Sequence, residues 1–156
     1  MCKIKYVDSK IVFSEIPNEI TLAISISDCQ IKFKDFHSKY LIEDKGTLLT
    51  KEELFKIINE NQGITCLCFM GEGKYPEDIN YLAKKVRNTF NLKIAYYTGY
   101  NKIPKEIDLK YFDFIKIGPY ISSLGGLNKS TTNQRMYSIK KGKIDKDITY
   151  VFYKNN

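Results

Sequence analysis

The sequence predicts an α/β domain built on a mainly parallel sheet with flanking helices, and three observations carry that expectation. Short apolar runs alternate with two stretches of helical spacing, the order strand, helix, strand, helix, strand that specifies a right-handed parallel sheet. The run ITCLCFM, residues 64–70, is apolar on both faces and bounded by Gly63 and Gly71, as a central parallel strand requires. The segment from Pro76 to Phe90 carries Ile79, Leu82, Ala83, Val86 and Phe90 at helical spacing, with the proline in its first turn.

In chain order, YVDSKIVFSEIP alternates around Ile11 and Phe13 and predicts a short strand closed by Pro17. ITLAISIS, residues 20–27, reads as a buried strand that delivers the chain into DCQIKFKDFHS, residues 28–38. Thr50 followed by Glu53 is a capping-box signature, and Leu54, Ile57 and Ile58 give the next segment one apolar face, predicting a helix that ends near Asn61 and Gly63. After the 64–70 strand come a glycine turn at Gly71 and Gly73 and the 76–90 helix. Residues 92–100 and 111–120 read as the next strands, the latter turning at Gly118 and Pro119. GGLNKSTTNQR is loop-like and precedes a strand from Met136 to Ile139. A turn at Lys141, Gly142 and Lys143 leads to ITYVFY, expected to be a final alternating strand. No repeat or linker divides the 156 residues, so a single domain spanning 1–156 is expected.

Charge narrows the function classes. The chain carries 25 basic and 18 acidic residues, net +7, but only Arg87 and Arg135 are arginines. Base readout relies on the forked guanidinium, so lysine-dominated charge points to a solvated surface before nucleic-acid recognition. The first dozen residues hold Lys3, Lys5, Asp8 and Lys10 in place of an apolar run, so a cytoplasmic protein without a disulfide framework is expected for Cys2, Cys29, Cys66 and Cys68. The most apolar stretch, 64–70, is far too short for a membrane helix.

In open α/β sheets, ligands gather at the carboxyl ends of the strands. Four segments are expected to converge there: residues 28–38, then Gly71, Glu72 and Gly73, then Thr98 and Gly99, then Gly118 and Pro119.

Taken together, ITLAISISDC followed by HS, ITCLCFMG, YYTGY, KIGPYI and GGLNKSTTNQRMY occur in an order and spacing that resemble the radical SAM activating proteins of anaerobic ribonucleotide reductase, over roughly residues 6–138. The resemblance implies a small partial (β/α) barrel that holds one [4Fe-4S] cluster by three thiolates and binds S-adenosylmethionine, from which a radical is passed to a glycine of the partner reductase. Carried over residue by residue, it places the three cluster positions at Cys29, Phe33 and Phe36, with His37 beside the third. It makes Gly71, Glu72, Gly73, Tyr97, Thr98 and Gly99 the positions facing S-adenosylmethionine, and Asn133, Gln134 and Arg135 the partner-binding tail.

This chain departs from that pattern at two places. Phenylalanine cannot coordinate iron, so Phe33 and Phe36 leave one thiol of three and are expected to plug the loop with apolar rings. The glycine turn reads Gly71, Glu72, Gly73 where relatives place two glycines before the acid, and Asp28 replaces a glycine before Cys29. The sequence therefore points to a pseudoenzyme that holds neither cluster nor S-adenosylmethionine and acts by binding a partner, a glycyl-radical ribonucleotide reductase or a protein like it. The alternative is a working activase with unusual ligands, Cys66 or Cys68 standing in for the missing thiolates, since the two project to one side of a strand. A basic module binding nucleic acid or a nucleic-acid enzyme is the weaker alternative.

Overall fold

The computed structural model describes residues 2–27 and 46–153. One eight-stranded mixed sheet and two helices account for most of them. The strands are β1 Lys5–Val12, β2 Thr21–Ile26, β3 Thr47–Leu48, β4 Cys66–Met70, β5 Lys93–Tyr97, β6 Phe114–Ile117, β7 Arg135–Lys140 and β8 Lys143–Asp147, and the helices are α1 Lys51–Glu60 and α2 Pro76–Thr89. Across the sheet the order is β3-β1-β2-β4-β5-β6-β7-β8. β2, β4, β5 and β6 are parallel, while β1 with β3 and β7 with β8 extend the two edges in antiparallel fashion.

The helices start where the local chemistry says they should. Thr50 accepts the Glu53 N–H at 3.0 Å, closing one half of the capping box. The Glu53 carboxylate does not close the other half; it accepts the Tyr6 hydroxyl at 2.9 Å and ties α1 to β1. Pro76 opens α2, where its missing N–H costs nothing. Both helices bury their apolar stripes on one face of the sheet, Leu54, Ile57 and Ile58 from α1 and Ile79, Leu82, Ala83 and Val86 from α2, against Leu22, Ile24, Leu67, Phe69, Ile94 and Tyr96. On the other face a smaller cluster of Cys66, Cys68, Ala95 and Met136 is sealed by Ile16, with Leu127, Ile148 and Phe152 packed against it. Arg87 locks α2 to the sheet by donating to Asp113 at 2.7 Å, while the same carboxylate accepts the Ile94 N–H at 2.9 Å.

Three sequence expectations need correction. The first strand lies at Lys5–Val12, so Phe13 falls beyond it and is 72% exposed. Residues 111–120 contain only a four-residue strand, preceded by a 3-10 turn at Leu109–Tyr111. ITYVFY is not the last strand: Thr149–Phe152 is a 3-10 turn, and the strand after the Lys141-Gly142 turn is the charged, exposed Lys143–Asp147. The alternation misled because Ile148 and Phe152 pack onto the second face from a turn, and Asp147 accepts both the N–H and the hydroxyl of Thr149, at 3.0 and 2.6 Å. Among the described residues no helix is long and apolar enough to cross a membrane.

Candidate functional site at the carboxyl edge

Parallel pairing brings the ends of β2, β4, β5 and β6 to one edge, where backbone bonds bind them together. Gly71 donates to the Tyr97 carbonyl at 2.9 Å, Thr98 to the Lys116 carbonyl at 2.9 Å, and Gly118 to the Tyr100 carbonyl at 2.7 Å. Of the positions expected to face a ligand, Glu72 and Thr98 meet directly: the Thr98 hydroxyl donates to the Glu72 carboxylate at 3.0 Å and accepts the Tyr100 N–H at 3.2 Å. Both side chains are buried, Glu72 being 4% exposed. Burial pushes the Glu72 carboxyl up to about 7, although the Thr98 hydrogen bond and the Lys116 charge pull the other way. Tyr97 is directed elsewhere, donating to the Glu15 carbonyl across the second face.

A charged group that sequence reasoning passed over completes this cluster. Lys116 sits between Ile115 and Ile117 in β6, is 8% exposed, and donates to the Gly118 carbonyl at 3.2 Å with its ammonium 5.2 Å from the Tyr97 ring centre. Burial holds its amine down at about 8, opposed by the charges of Cys68 and Glu72. The signal was present: a lysine inside an apolar strand run is solvated or matched, and here it is matched by a carbonyl, a ring and the field of Glu72.

The tail is braced internally. Gln134 and Asn133 donate through their side-chain amides to the carbonyls of Gly118 and Pro119, at 3.3 and 3.0 Å, so the Gly-Pro turn and the tail form one unit. Gly118 has φ +102, and a Cβ there would lie 3.2 Å from the Gln134 Cα and 3.3 Å from the Asn133 carbonyl oxygen. Gly118→Ala is therefore expected to cost about 1–3 kcal/mol in thermal unfolding. Gly63→Ala, at φ +91 with open space around it, supplies the comparison. Equal losses for the two variants would mean that the contact with the tail contributes nothing. Arg135, at the edge of this unit, pairs with Asp147 at 2.7 Å, both side chains being about one third exposed.

The cluster positions Cys29, Phe33, Phe36 and His37 lie outside the described residues. Cys66 and Cys68 share the second face, as alternation required, but not the carboxyl edge. They stand opposite Thr21 and Ala23, about 20 and 13 Å along β2 from Ser27 at roughly 3.3 Å per residue. Both thiols are buried; desolvation pushes Cys66 up to about 12 and Cys68 well above the usual thiol range, so neither is poised as a thiolate. Among the described residues no group of three His, Cys, Asp or Glu side chains could hold a metal ion. The described donors do not fit an iron-sulfur cluster at this edge. Compared with protein-family models, curated proteins and solved structures, the chain matches none.

Proposed function

We propose that this chain is a radical-SAM-type domain of partial-barrel form that acts in the cytoplasm by binding a partner, a glycyl-radical ribonucleotide reductase or a protein like it, without cluster chemistry of its own. The observation that carries the reading is the junction of the KIGP and TNQR segments. The two stretches that resemble the activating proteins late in the chain are hydrogen-bonded to each other at the carboxyl edge, through Gly118, Pro119, Asn133 and Gln134. The positions tied to cofactor binding support the loss of chemistry. Glu72 is turned onto Thr98 and carries a raised pKa, which weakens it as a charged partner for a ligand amine, while Phe33 and Phe36 replace two sulfurs. The exposed face of the same unit, with Arg135 at its edge, is where the partner would dock.

Two measurements on the purified protein test this. After anaerobic reconstitution with iron and sulfide, iron is expected well below one equivalent per chain, with no cluster absorption toward the violet; about four irons per chain would establish the working activase instead. In titrations against an anaerobic glycyl-radical ribonucleotide reductase, Arg135→Ala is expected to weaken binding about tenfold, whereas Asp147→Asn, which keeps the guanidinium, is expected to bind as the parent does. Absence of binding by the parent protein, or equal binding by Arg135→Ala, removes the partner assignment.

A further inference from the structure

A cavity bordered by Gly73, the neighbour of Glu72, opens where β1 begins, β2 ends and the turn into α2 passes between them. It has a volume of about 230 Å³, and its lining includes Lys3, Lys5, Lys74, Ser27, Ile4 and Tyr75. We propose that this cavity binds the phosphoryl group of a small phosphorylated molecule.

Charge is the first argument. Three lysines line one small space, and among the described residues no Asp or Glu lines it. Of the two acids in the adjoining first turn of α2, Glu77 is exposed to solvent and Asp78 is buried and committed to the backbone, accepting the N–H of Lys3 at 2.6 Å and of Ile4 at 3.2 Å. That bond also fixes the start of β1, and with it the positions from which Lys3 and Lys5 reach the cavity. Lys3 is further placed by the Tyr75 ring, whose centre lies 5.5 Å from its ammonium. Lys5 and Lys74 each take part in an interaction of their own, so the proposal rests on the concentration of positive charge and not on idle amines.

Donor chemistry is the second. The donors are compact ammonium groups, which bind phosphate as point charges and can approach a tetrahedral anion from several directions. The Ser27 hydroxyl, on a residue 1% exposed, donates to the Lys5 carbonyl at a long 3.3 Å, a bond it can exchange for one to an anion in the cavity. Size is the third. The volume is below the roughly 300–1,000 Å³ of sites that enclose a drug-sized ligand, which suits a phosphoryl group with a small attachment resting on Tyr75 and Ile4. None of this depends on the cluster or on a protein partner.

Isothermal titration with inorganic phosphate and with adenosine monophosphate tests the assignment on the full chain. Saturable one-site binding is expected for both, with adenosine alone giving none. Lys3→Gln combined with Lys74→Gln is expected to weaken both ligands at least tenfold. Lys140→Gln combined with Lys143→Gln, which removes the same net charge from the β7–β8 hairpin, is expected to leave them unchanged. Should the first pair unfold on thermal scanning, Lys74→Gln alone, at an exposed position, carries the comparison with an expected loss of about threefold. The proposal is overturned by the absence of saturable phosphate binding, by equal weakening in the two lysine pairs, or by binding of adenosine as tight as that of its monophosphate. Binding of a single-stranded oligonucleotide that phosphate does not displace, in place of phosphate binding, would also overturn it, because bulk charge would then be the attraction.

Discussion

Phe69→Ala is expected to destabilise the protein by about 3–5 kcal/mol, the largest loss from any single truncation discussed for this chain. Phe69 is fully buried in the middle of β4, and parallel register sets it beside Ile24 of β2 on one side and Tyr96 of β5 on the other. Leu82, Val86 and Ile79 of α2 belong to the same buried cluster, so the cavity left by the ring would be walled by two layers of the fold. Rigid strands on both sides limit collapse, which keeps the cost toward the upper part of that range. Urea unfolding followed by circular dichroism measures it. A loss below about 1 kcal/mol would mean that the sheet and helix layers are not packed through this residue.

The second large effect lies at the carboxyl edge and depends on pH. Glu72 has an ordinary carboxyl value of 4.5 and is raised to about 7 by burial. Below 4.5 the folded and unfolded chains both hold the proton, and Glu72 contributes no pH dependence. Between 4.5 and 7 the unfolded chain has released its proton while the folded chain retains it, so stability falls as pH rises; above 7 the full penalty is present. The rise from 4.5 to about 7 corresponds to roughly 3 kcal/mol.

Glu72→Gln keeps an oxygen for the Thr98 hydroxyl and carries no charge. It is therefore expected to raise stability at pH 7.5 by about 2–3 kcal/mol, and to leave stability unchanged near pH 4. The variant also takes away a charge that favours protonated Lys116, which makes 3 kcal/mol an upper bound. Lys116 contributes with the opposite sign in a higher window. From about 8 to 10.5 the unfolded chain still holds the lysine proton that the folded chain has given up, so stability recovers as pH rises through it. Unfolding curves collected from pH 4 to pH 10 check both signs. A parent profile that is flat between 4.5 and 7, or a Glu72→Gln variant that follows the parent at every pH, would show that the carboxyl is not held protonated.

If the phosphoryl cavity and the tail both operate, they do so from different parts of the same sheet. Lys3, Lys5 and Lys74 surround the end of β2, whereas Asn133, Gln134 and Arg135 lie beyond β6. That separation keeps the tests apart, since losing the lysines leaves the tail unit intact and losing Arg135 leaves the cavity intact.

The amino-acid sequence specified both helices and the presence of the four parallel strands, though not the shortness of β6, because each carries its own period and punctuation. Thr50 caps α1, Pro76 opens α2, and the apolar run at 66–70 suits only a strand covered on both faces. It also determined that Gly71, Glu72, Thr98 and Gly118 gather at one edge, since parallel strands with crossover connections end together. Tertiary structure alone decided what those residues do there. Whether Glu72 faces solvent or turns onto Thr98 depends on a contact between residues 26 positions apart, and whether Lys116 is solvated or buried depends on the neighbouring Tyr97 ring brought up by β5, neither of which a local pattern encodes. At the antiparallel edges β1 and β7 were legible, but β3 and β8 were out of reach. β3 is two residues long, and β8 is a charged, exposed strand whose hydrogen bonds come from its neighbour β7 and not from any apolar alternation of its own. ITYVFY failed for the same reason in reverse: its alternation is real, but Ile148 and Phe152 satisfy it by packing from a 3-10 turn onto a face that only the assembled sheet provides.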